Sequence, residues 1–220
     1  MKKNLFISVV MVTATALLSS CGNSNKNTEN KTVGDSTKTV KTIENLKAAI
    51  TGESTASAKY AAFATKAKEE GFIQISKMFE STSKAESIHA ENHKKALEEL
   101  GQKMEIKLEI YEVKTTKENL EAAIKGESYE IETMYPGFIT QAETDNAAKA
   151  TKSFNYAFET EKNHKLLYQK ALDALNAKKD KSLSSEYFVC PKCGNTYDNK
   201  NVAENCDICD TEKAKFIVFK

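Results

Sequence analysis

The chain of 220 residues has no tryptophan, two prolines, three histidines and five cysteines. So few prolines leave little to interrupt helices, and a composition with 29% charged and 40% hydrophobic residues is typical of a soluble, mainly helical protein. An excess of one charge is also missing, since the formal net charge is only +1. The balance gives no general electrostatic attraction to nucleic acid, and we expect no nucleic-acid partner.

The N-terminal segment has the pattern of an export signal. Residues 1–21, MKKNLFISVVMVTATALLSSC, contain two lysines, an apolar run too short for a comfortable membrane span, and then small residues. The ending LSSC resembles a bacterial lipobox, which implies removal of residues 1–20 and lipidation of Cys21. An ordinary cleaved signal with an incidental cysteine is the alternative. Residues 21–40 are polar and predict a flexible tether, so we expect an exported lipoprotein, anchored in membrane lipid on the periplasmic side or at the cell surface.

Two parts of the chain repeat each other. ENLKAAITGES (44–54) recurs as ENLEAAIKGES (118–128), and ESIH (86–89) matches EKNH (161–164). Each copy predicts two helices, which gives four helices at about 42–70, 72–101, 116–143 and 146–177, with residues 102–115 crossing along a bundle over 41–178. The offset between the copies grows from 74 to 75 between Glu127 and Phe138. An inserted residue of this kind predicts a π-bulge in the third helix.

Acidic residues interrupt the apolar stripe of every predicted helix at one level. These are Glu or Glu-x-x-His positions, together with one more glutamate beside the insertion: Glu53, Glu86, His89, Glu127, Glu130, Glu161 and His164. Buried carboxylates that face each other are stable only when protonated or neutralised by metal. One Glu from each of two helices and Glu-x-x-His from the other two is the di-iron pattern of ferritin-like bundles, and such ligands suit iron or manganese. Surface salt bridging is the alternative.

Three further side chains lie near this level in the pattern. Tyr60 and Tyr135 each follow a predicted ligand by about two turns, so they either pack in the core or bond a ligand carboxylate through the phenol. His93 follows His89 by one turn outside the repeat. We expect it at the surface or behind the ligands rather than on the metal.

The last 35 residues carry a second metal motif. CPKC (190–193) and CDIC (206–209) give two Cys-x-x-Cys pairs separated by 12 residues. Four thiolates from two such knuckles fit zinc or a single iron, and so small a module needs its metal to fold. Two disulfides are the alternative in an exported protein. The ligand set is Cys190, Cys193, Cys206 and Cys209.

These motifs together resemble the rubrerythrin family over residues 41–220. The resemblance rests on GES (52–54), ESIH (86–89), GESYE with MYP (126–136), EKNH (161–164) and the two cysteine knuckles. It implies a ferritin-like four-helix bundle with a rubredoxin-like domain at 186–220. It also implies that the seven Glu and His residues above bind two irons, that Glu130 exchanges with His89 as the oxidation state changes, and that the cysteines bind one more iron. In this family Asp210 would stand where glycine is usual, which implies a lower redox potential or a loosened knuckle.

The function implied by the resemblance is a peroxidase that reduces hydrogen peroxide to water. Its electrons would come from a reductase or small redox protein through the cysteine centre. A head-to-tail homodimer would place the cysteine centre of one chain beside the di-iron site of the other. Two alternatives are a ferroxidase or iron-handling protein, and a non-catalytic metal-binding lipoprotein with zinc in the tail. Zinc cannot relay electrons, so the tail metal distinguishes the last alternative from the peroxidase.

Overall fold

The structure is a computed structural model that describes residues 39–199 and 202–220. The predicted signal, Cys21 and nearly all of the predicted tether lie outside these residues. The bundle consists of α1 (Val40–Glu69), α2 (Ile73–Glu99), α3 (Thr116–Tyr129), α4 (Tyr135–Thr144) and α5 (Ala148–Asn176). The four predicted helices are confirmed to within about three residues, with α3 and α4 forming the third. Within the described ranges, no helix is long and apolar enough to cross a bilayer.

The third helix contains the predicted π-bulge. A π-helical turn, Glu130–Met134, joins α3 to α4, and the Tyr135 N–H bonds the Glu130 carbonyl five residues back. Pro136 follows directly and has no N–H with which to continue a regular ladder. The extra residue is therefore absorbed at this point, between Glu127 and Phe138, as the changed repeat offset indicates.

The bundle has two hydrophobic clusters, and a polar layer lies between them. One cluster is built around Tyr60, Phe63, Phe79 and Tyr168, and the other around Leu46, Ile50, Tyr135 and Phe154. Along α1 and α2 the buried Glu and His positions fall between residues of the two clusters. Packing on both sides therefore fixes the polar layer and shields it from water.

A small sheet forms the C-terminal module. Strand β1 (Tyr187–Val189) lies between β2 (Thr196–Asp198) and β3 (Ile217–Phe219), and both pairs are antiparallel. Tyr197 and Phe216 stack with ring centroids 5.6 Å apart beside the buried cysteines. This core is small, which agrees with a module that depends on its metal.

The two parts of the chain are joined by contacts in the same compact unit. Tyr187 on β1 packs into the hydrophobic cluster of the bundle, and the Lys77 ammonium donates to the Ser185 carbonyl at 3.1 Å. The segment that leads from α5 to the sheet therefore lies against the bundle rather than away from it.

Candidate metal centres

Two groups of four side chains converge in the polar layer. In each group one ligand atom per residue lies within 4.8 Å of the others. The groups are Glu53, Glu86, His89 and Glu161, and Glu86, Glu127, Glu161 and His164. Every member is at most 1% exposed. Because Glu86 and Glu161 belong to both groups, the two groups together would hold a pair of metal ions.

Unpartnered atoms in this layer test whether metal fits. Glu53 Oε2, both Glu86 carboxylate oxygens, His89 Nδ1 and Glu161 Oε1 are buried without a hydrogen-bond partner. His89 Nδ1 lies 2.8 Å from Glu161 Oε1 and 2.9 Å from Glu86 Oε2, but at angles that form no hydrogen bond. Buried polar atoms without partners are costly, and metal ions satisfy all of them at once. Carboxylate oxygen and imidazole nitrogen are suitable ligands for iron.

The outer nitrogens of the two imidazoles fix which nitrogen faces the metals. His89 Nε2 lies 3.0 Å from the Cys193 carbonyl oxygen, which only accepts, so Nε2 carries the proton. His164 Nε2 lies 3.1 Å from Thr196 Oγ1, whose own proton is donated to the Gly194 carbonyl. When either imidazole is neutral its proton therefore lies on Nε2, and the lone pair of Nδ1, on the side of the carboxylates, is the one that would bind a metal.

The carboxyl and imidazole groups of the polar layer hold protons when no metal is bound. Burial raises the pKa of the Glu86 and Glu127 carboxyls, and the nearby Glu161 carboxylate raises both further. Burial alone would lower the pKa of His89 and His164, but the facing carboxylates outweigh it and raise both well above their usual range. Metal binding must displace these protons, so it competes with acid.

Both tyrosines pack in the core and also hold a carboxylate. Tyr60 Oη donates to Glu127 Oε1 at 2.6 Å, and the Tyr135 hydroxyl donates to Glu53 Oε1. The two phenols therefore orient equivalent glutamates in the two halves of the repeat.

His93 lies behind the layer rather than at the surface. It is buried, its Nε2 lies 3.1 Å from Tyr135 Oη, and its Nδ1 lies 2.7 Å from Ser153 Oγ. Burial lowers the pKa of His93, which favours the neutral imidazole. Since Tyr135 donates to Glu53, the consistent order of donors is Ser153 to His93, His93 to Tyr135 and Tyr135 to Glu53. Its spacing from His89 was the only sequence signal for this role.

Glu130 occupies a different position from the other carboxylates. It is half-buried on the π-helical turn and lies outside both four-residue groups. Burial and the Glu53 and Glu127 carboxylates raise its pKa well above the usual range. It is therefore close to the layer without completing either group, and its exchange with His89 stays a prediction.

The four cysteines form the second centre. All are free thiols, and their Sγ atoms lie within 4.8 Å of one another. The Cys190–Cys209 and Cys193–Cys206 sulfurs are 3.4 Å apart, far beyond the roughly 2.05 Å of a disulfide. The disulfide alternative is therefore wrong for this structure, and the cluster fits a tetrahedral iron.

The two knuckles use the same turn with different residues. Gly194 has φ +85° and its N–H donates to the Cys190 carbonyl at 2.9 Å. Asp210 has φ +58° and its N–H donates to the Cys206 carbonyl at 2.8 Å. Asn205 Nδ2 supports Asp210 through its carboxylate oxygen at 2.9 Å. The second knuckle is therefore closed rather than loosened, and the expected lower redox potential stays a prediction.

The cysteine module contacts the di-iron layer of its own chain. Besides the bond from His89, the Cys193 carbonyl accepts from Thr160 Oγ1 at 3.3 Å, and Asn92 Nδ2 donates to the Lys192 carbonyl at 2.9 Å. The resemblance implied that this contact forms between two chains of a dimer. In the structure it forms within one chain, so the contact alone does not require a partner.

The fold and the two centres define a class of protein, a ferritin-like di-iron bundle joined to a rubredoxin-like iron module. The family model for rubrerythrin matches residues 44–172, so the chain belongs to the rubrerythrin family. It is 34% identical to rubrerythrin-2 of Clostridium acetobutylicum over 185 residues, which cover 84% of this chain and 100% of the relative. It is 36% identical to nigerythrin of Nitratidesulfovibrio vulgaris, covering 81% of this chain and 86% of that one.

Solved structures agree with this assignment. A mixed-valence structure of nigerythrin aligns with a TM-score of 0.74 at 35% identity and covers 81% of this chain and 86% of that one. A bacterioferritin of Desulfovibrio desulfuricans aligns with a TM-score of 0.61 at 19% identity, covering 67% of this chain and 86% of that one. The second likeness shows the ferritin-like fold alone.

Proposed function

We propose that this protein is a rubrerythrin-type peroxidase that reduces hydrogen peroxide to water. The observation that carries the proposal is the contact between the two centres. His89 belongs to one four-residue group and also donates to the carbonyl of Cys193, a residue of the cysteine centre. A bundle that only stores or binds metal has no need of a redox centre bonded to one of its ligands.

The reaction joins one hydrogen peroxide, two protons and two electrons to give two waters. A pair of ferrous ions held by the Glu and His groups of the bundle would supply the two electrons, and an iron held by the four cysteines would supply the one-electron chemistry that restores the pair. The chain holds the ligands in place through the phenols of Tyr60 and Tyr135. The two hydrophobic clusters keep bulk water from the layer, and Glu130 on the π-helical turn is half-buried.

Metal content and the visible spectrum test the proposal together. The aerobically purified protein should hold about three irons per chain, two in the bundle and one in the tail. Ferric-thiolate bands should bleach on reduction and return when peroxide is added. A matched Cys206→Ser variant should lose the tail bands and sustained turnover, but its reduced bundle should still consume about one peroxide per iron pair.

Other outcomes would favour the alternatives. A colourless protein with zinc in the tail would break the electron relay and favour a non-catalytic metal-binding lipoprotein. Oxidation and accumulation of many ferrous ions per chain, without peroxide turnover, would favour a ferroxidase or iron-handling protein.

We also propose export, lipidation at Cys21 and anchoring in a membrane, with electrons from an external reductase or small redox protein. This proposal rests on the lipobox-like ending of residues 18–21. Cys21→Ser should release the protein from washed membranes, and retention of the variant would contradict the anchor. A homodimer is a further proposal, which rests on the family resemblance.

A further inference from the structure

A continuous chain of hydrogen bonds leads from α5 to the polar layer. Ser153 Oγ lies 2.7 Å from His93 Nδ1, and His93 Nε2 lies 3.1 Å from Tyr135 Oη. The Tyr135 hydroxyl donates in turn to Glu53 Oε1, on one of the predicted metal ligands. Ser153 is 5% exposed, while the other three members are at most 1% exposed. The chain therefore begins at its most exposed member and ends on a buried carboxylate.

The donors of this chain all point towards the layer. The Glu53 carboxylate accepts from Tyr135, so the phenol oxygen is left to accept from His93 Nε2. The neutral imidazole then has its lone pair on Nδ1, which accepts from Ser153. His93 Nε2 lies 3.9 Å from Glu53 Oε1, beyond hydrogen-bond distance, so the phenol is a necessary link. A proton can therefore move along the chain towards Glu53 without crossing a gap.

Among the residues that the structure describes, the other half of the layer has no equivalent chain. An offset of 75 residues relates three members to positions in that half: Tyr135 to Tyr60, His93 to Tyr168 and Ser153 to Met78. Tyr60 also donates to a ligand carboxylate, Glu127, but it meets Tyr168 through the rings, whose centroids are 5.4 Å apart. Met78 is a thioether with no proton to donate. Duplication of the two-helix unit therefore does not account for the chain.

We propose that Ser153, His93 and Tyr135 form a proton path that delivers to Glu53 one of the two protons that peroxide reduction consumes. In one passage Ser153 gives its proton to His93 Nδ1, Nε2 gives its proton to the Tyr135 oxygen, and Tyr135 gives its proton to Glu53 Oε1. Solvent restores the proton of Ser153, and the proton on Glu53 leaves with a peroxide oxygen as water. No electron moves along the path.

The surroundings of the layer give the path its purpose. The two hydrophobic clusters keep bulk water away, so protons need a fixed route to the place where they are consumed. An imidazole suits such a route because it accepts a proton at one nitrogen while it releases another from the second. The imidazole must turn over between passages to restore the order of donors. The delivery of protons rests on the proposed peroxidase function, whereas the path itself does not.

The first test measures the path without peroxide. In the full chain loaded with zinc, which is diamagnetic, NMR of labelled histidine gives the rate at which the His93 Nε2 proton exchanges with solvent. Ser153→Thr keeps a hydroxyl and Ser153→Val has the same shape without one. Exchange should be about tenfold or more faster in Ser153→Thr than in Ser153→Val. Thr151→Val removes a hydroxyl that bonds only the Ala147 carbonyl, and it should leave the exchange rate unchanged.

The second test measures proton delivery during the reaction. Reduced, iron-loaded full chain is mixed with peroxide in a stopped-flow instrument, and the first oxidation is followed in H2O and in D2O. Ser153→Val should be oxidised about tenfold more slowly than Ser153→Thr. Its rate should also fall further in D2O, because proton transfer has become the slow step.

The two tests fail separately. Equal exchange rates in Ser153→Thr and Ser153→Val would overturn the path. A difference in exchange with equal oxidation rates and equal isotope effects would overturn its role in delivering protons. An iron-loaded wild-type chain that does not react with peroxide would refute the proposed peroxidase, and the exchange rates would still decide whether the path exists.

Discussion

Gly194 is the position where one added methyl group should separate the two metal centres. A Cβ there would lie 2.4 Å from His89 Nε2, 2.8 Å from His89 Cδ2 and 3.2 Å from the Ala85 carbonyl oxygen. Ordinary contacts are about 3.5 Å or longer, so either the imidazole or the cysteine module must move by about 1 Å. Both moves break the bond from His89 to the Cys193 carbonyl.

The magnitude of the Gly194→Ala effect has three parts. An L-residue at φ +85° costs about 1 kcal/mol, overpacking costs about 1–3 kcal/mol, and the lost hydrogen bond costs about 1 kcal/mol. Gly71 provides the control, because it has φ +88° and nothing within 4 Å of an added Cβ. Gly71→Ala should therefore lose only the first part. The difference between the variants, about 2–4 kcal/mol, belongs to the contact between the centres.

Two assays detect the loss of the contact between the two centres in Gly194→Ala. Urea unfolding of the iron-loaded protein, observed by helix circular dichroism and by the ferric-thiolate bands, should show the tail separating first in Gly194→Ala. Stopped-flow mixing of reduced protein with peroxide should show the tail bands returning about 10–100-fold more slowly. Equal losses in both variants, with an unchanged rate of return, would show that the contact does not connect the centres.

Further predictions concern single groups around the two centres. Tyr60→Phe leaves a buried Glu127 oxygen unpaired and should lower the unfolding free energy by about 1–3 kcal/mol, while Tyr129→Phe, at an exposed ring, should have no effect. Asp210→Gly should relieve the backbone at φ +58° and, by removing a negative charge, raise the reduction potential of the tail iron in spectroelectrochemical titration; an unchanged potential would contradict the charge argument. Above about pH 7 the metal-free protein should lose stability as pH rises, because the two ligand imidazoles have raised pKa values and hold protons in the folded state that the unfolded chain has released. The slope of the unfolding free energy against pH should approach about 1.4 kcal/mol per pH unit for each proton held. Urea titrations of the iron-loaded protein should show no such slope, because the metal has already displaced those protons.

The bundle could be predicted because its signals are local and repeated. Helical periodicity gave the four helices, and the duplicated Glu-x-x-His pairs at 86–89 and 161–164 indicated one polar level. The shift of one residue between the copies predicted the π-helical turn at Glu130–Met134. The four cysteines could be predicted as one cluster from their spacing alone.

The contacts between elements could not be predicted in the same way. The Cys193 carbonyl that accepts from His89 is a backbone group, and backbone groups leave no trace in a side-chain pattern. The position of His93 depends on Ser153, which lies 60 residues away on another helix. Docking of the tail within one chain depends on the path of residues 177–186, where no periodicity sets the direction.

Duplication of a two-helix unit would by itself make the two halves of the polar layer interchangeable, with Glu53 equivalent to Glu127 and His89 to His164. The cysteine module removes this equivalence, since His89 meets the backbone carbonyl of Cys193, a residue of the cysteine centre, whereas His164 meets the side-chain hydroxyl of Thr196. Only the second copy of the repeat supplies a glutamate at the position of Glu130, on the π-helical turn. Two ions in such unequal surroundings should differ in redox potential, so successive electrons would enter them in a fixed order. The docked cysteine module and the inserted residue therefore make the two copies of the repeat unequal, although duplication made them alike.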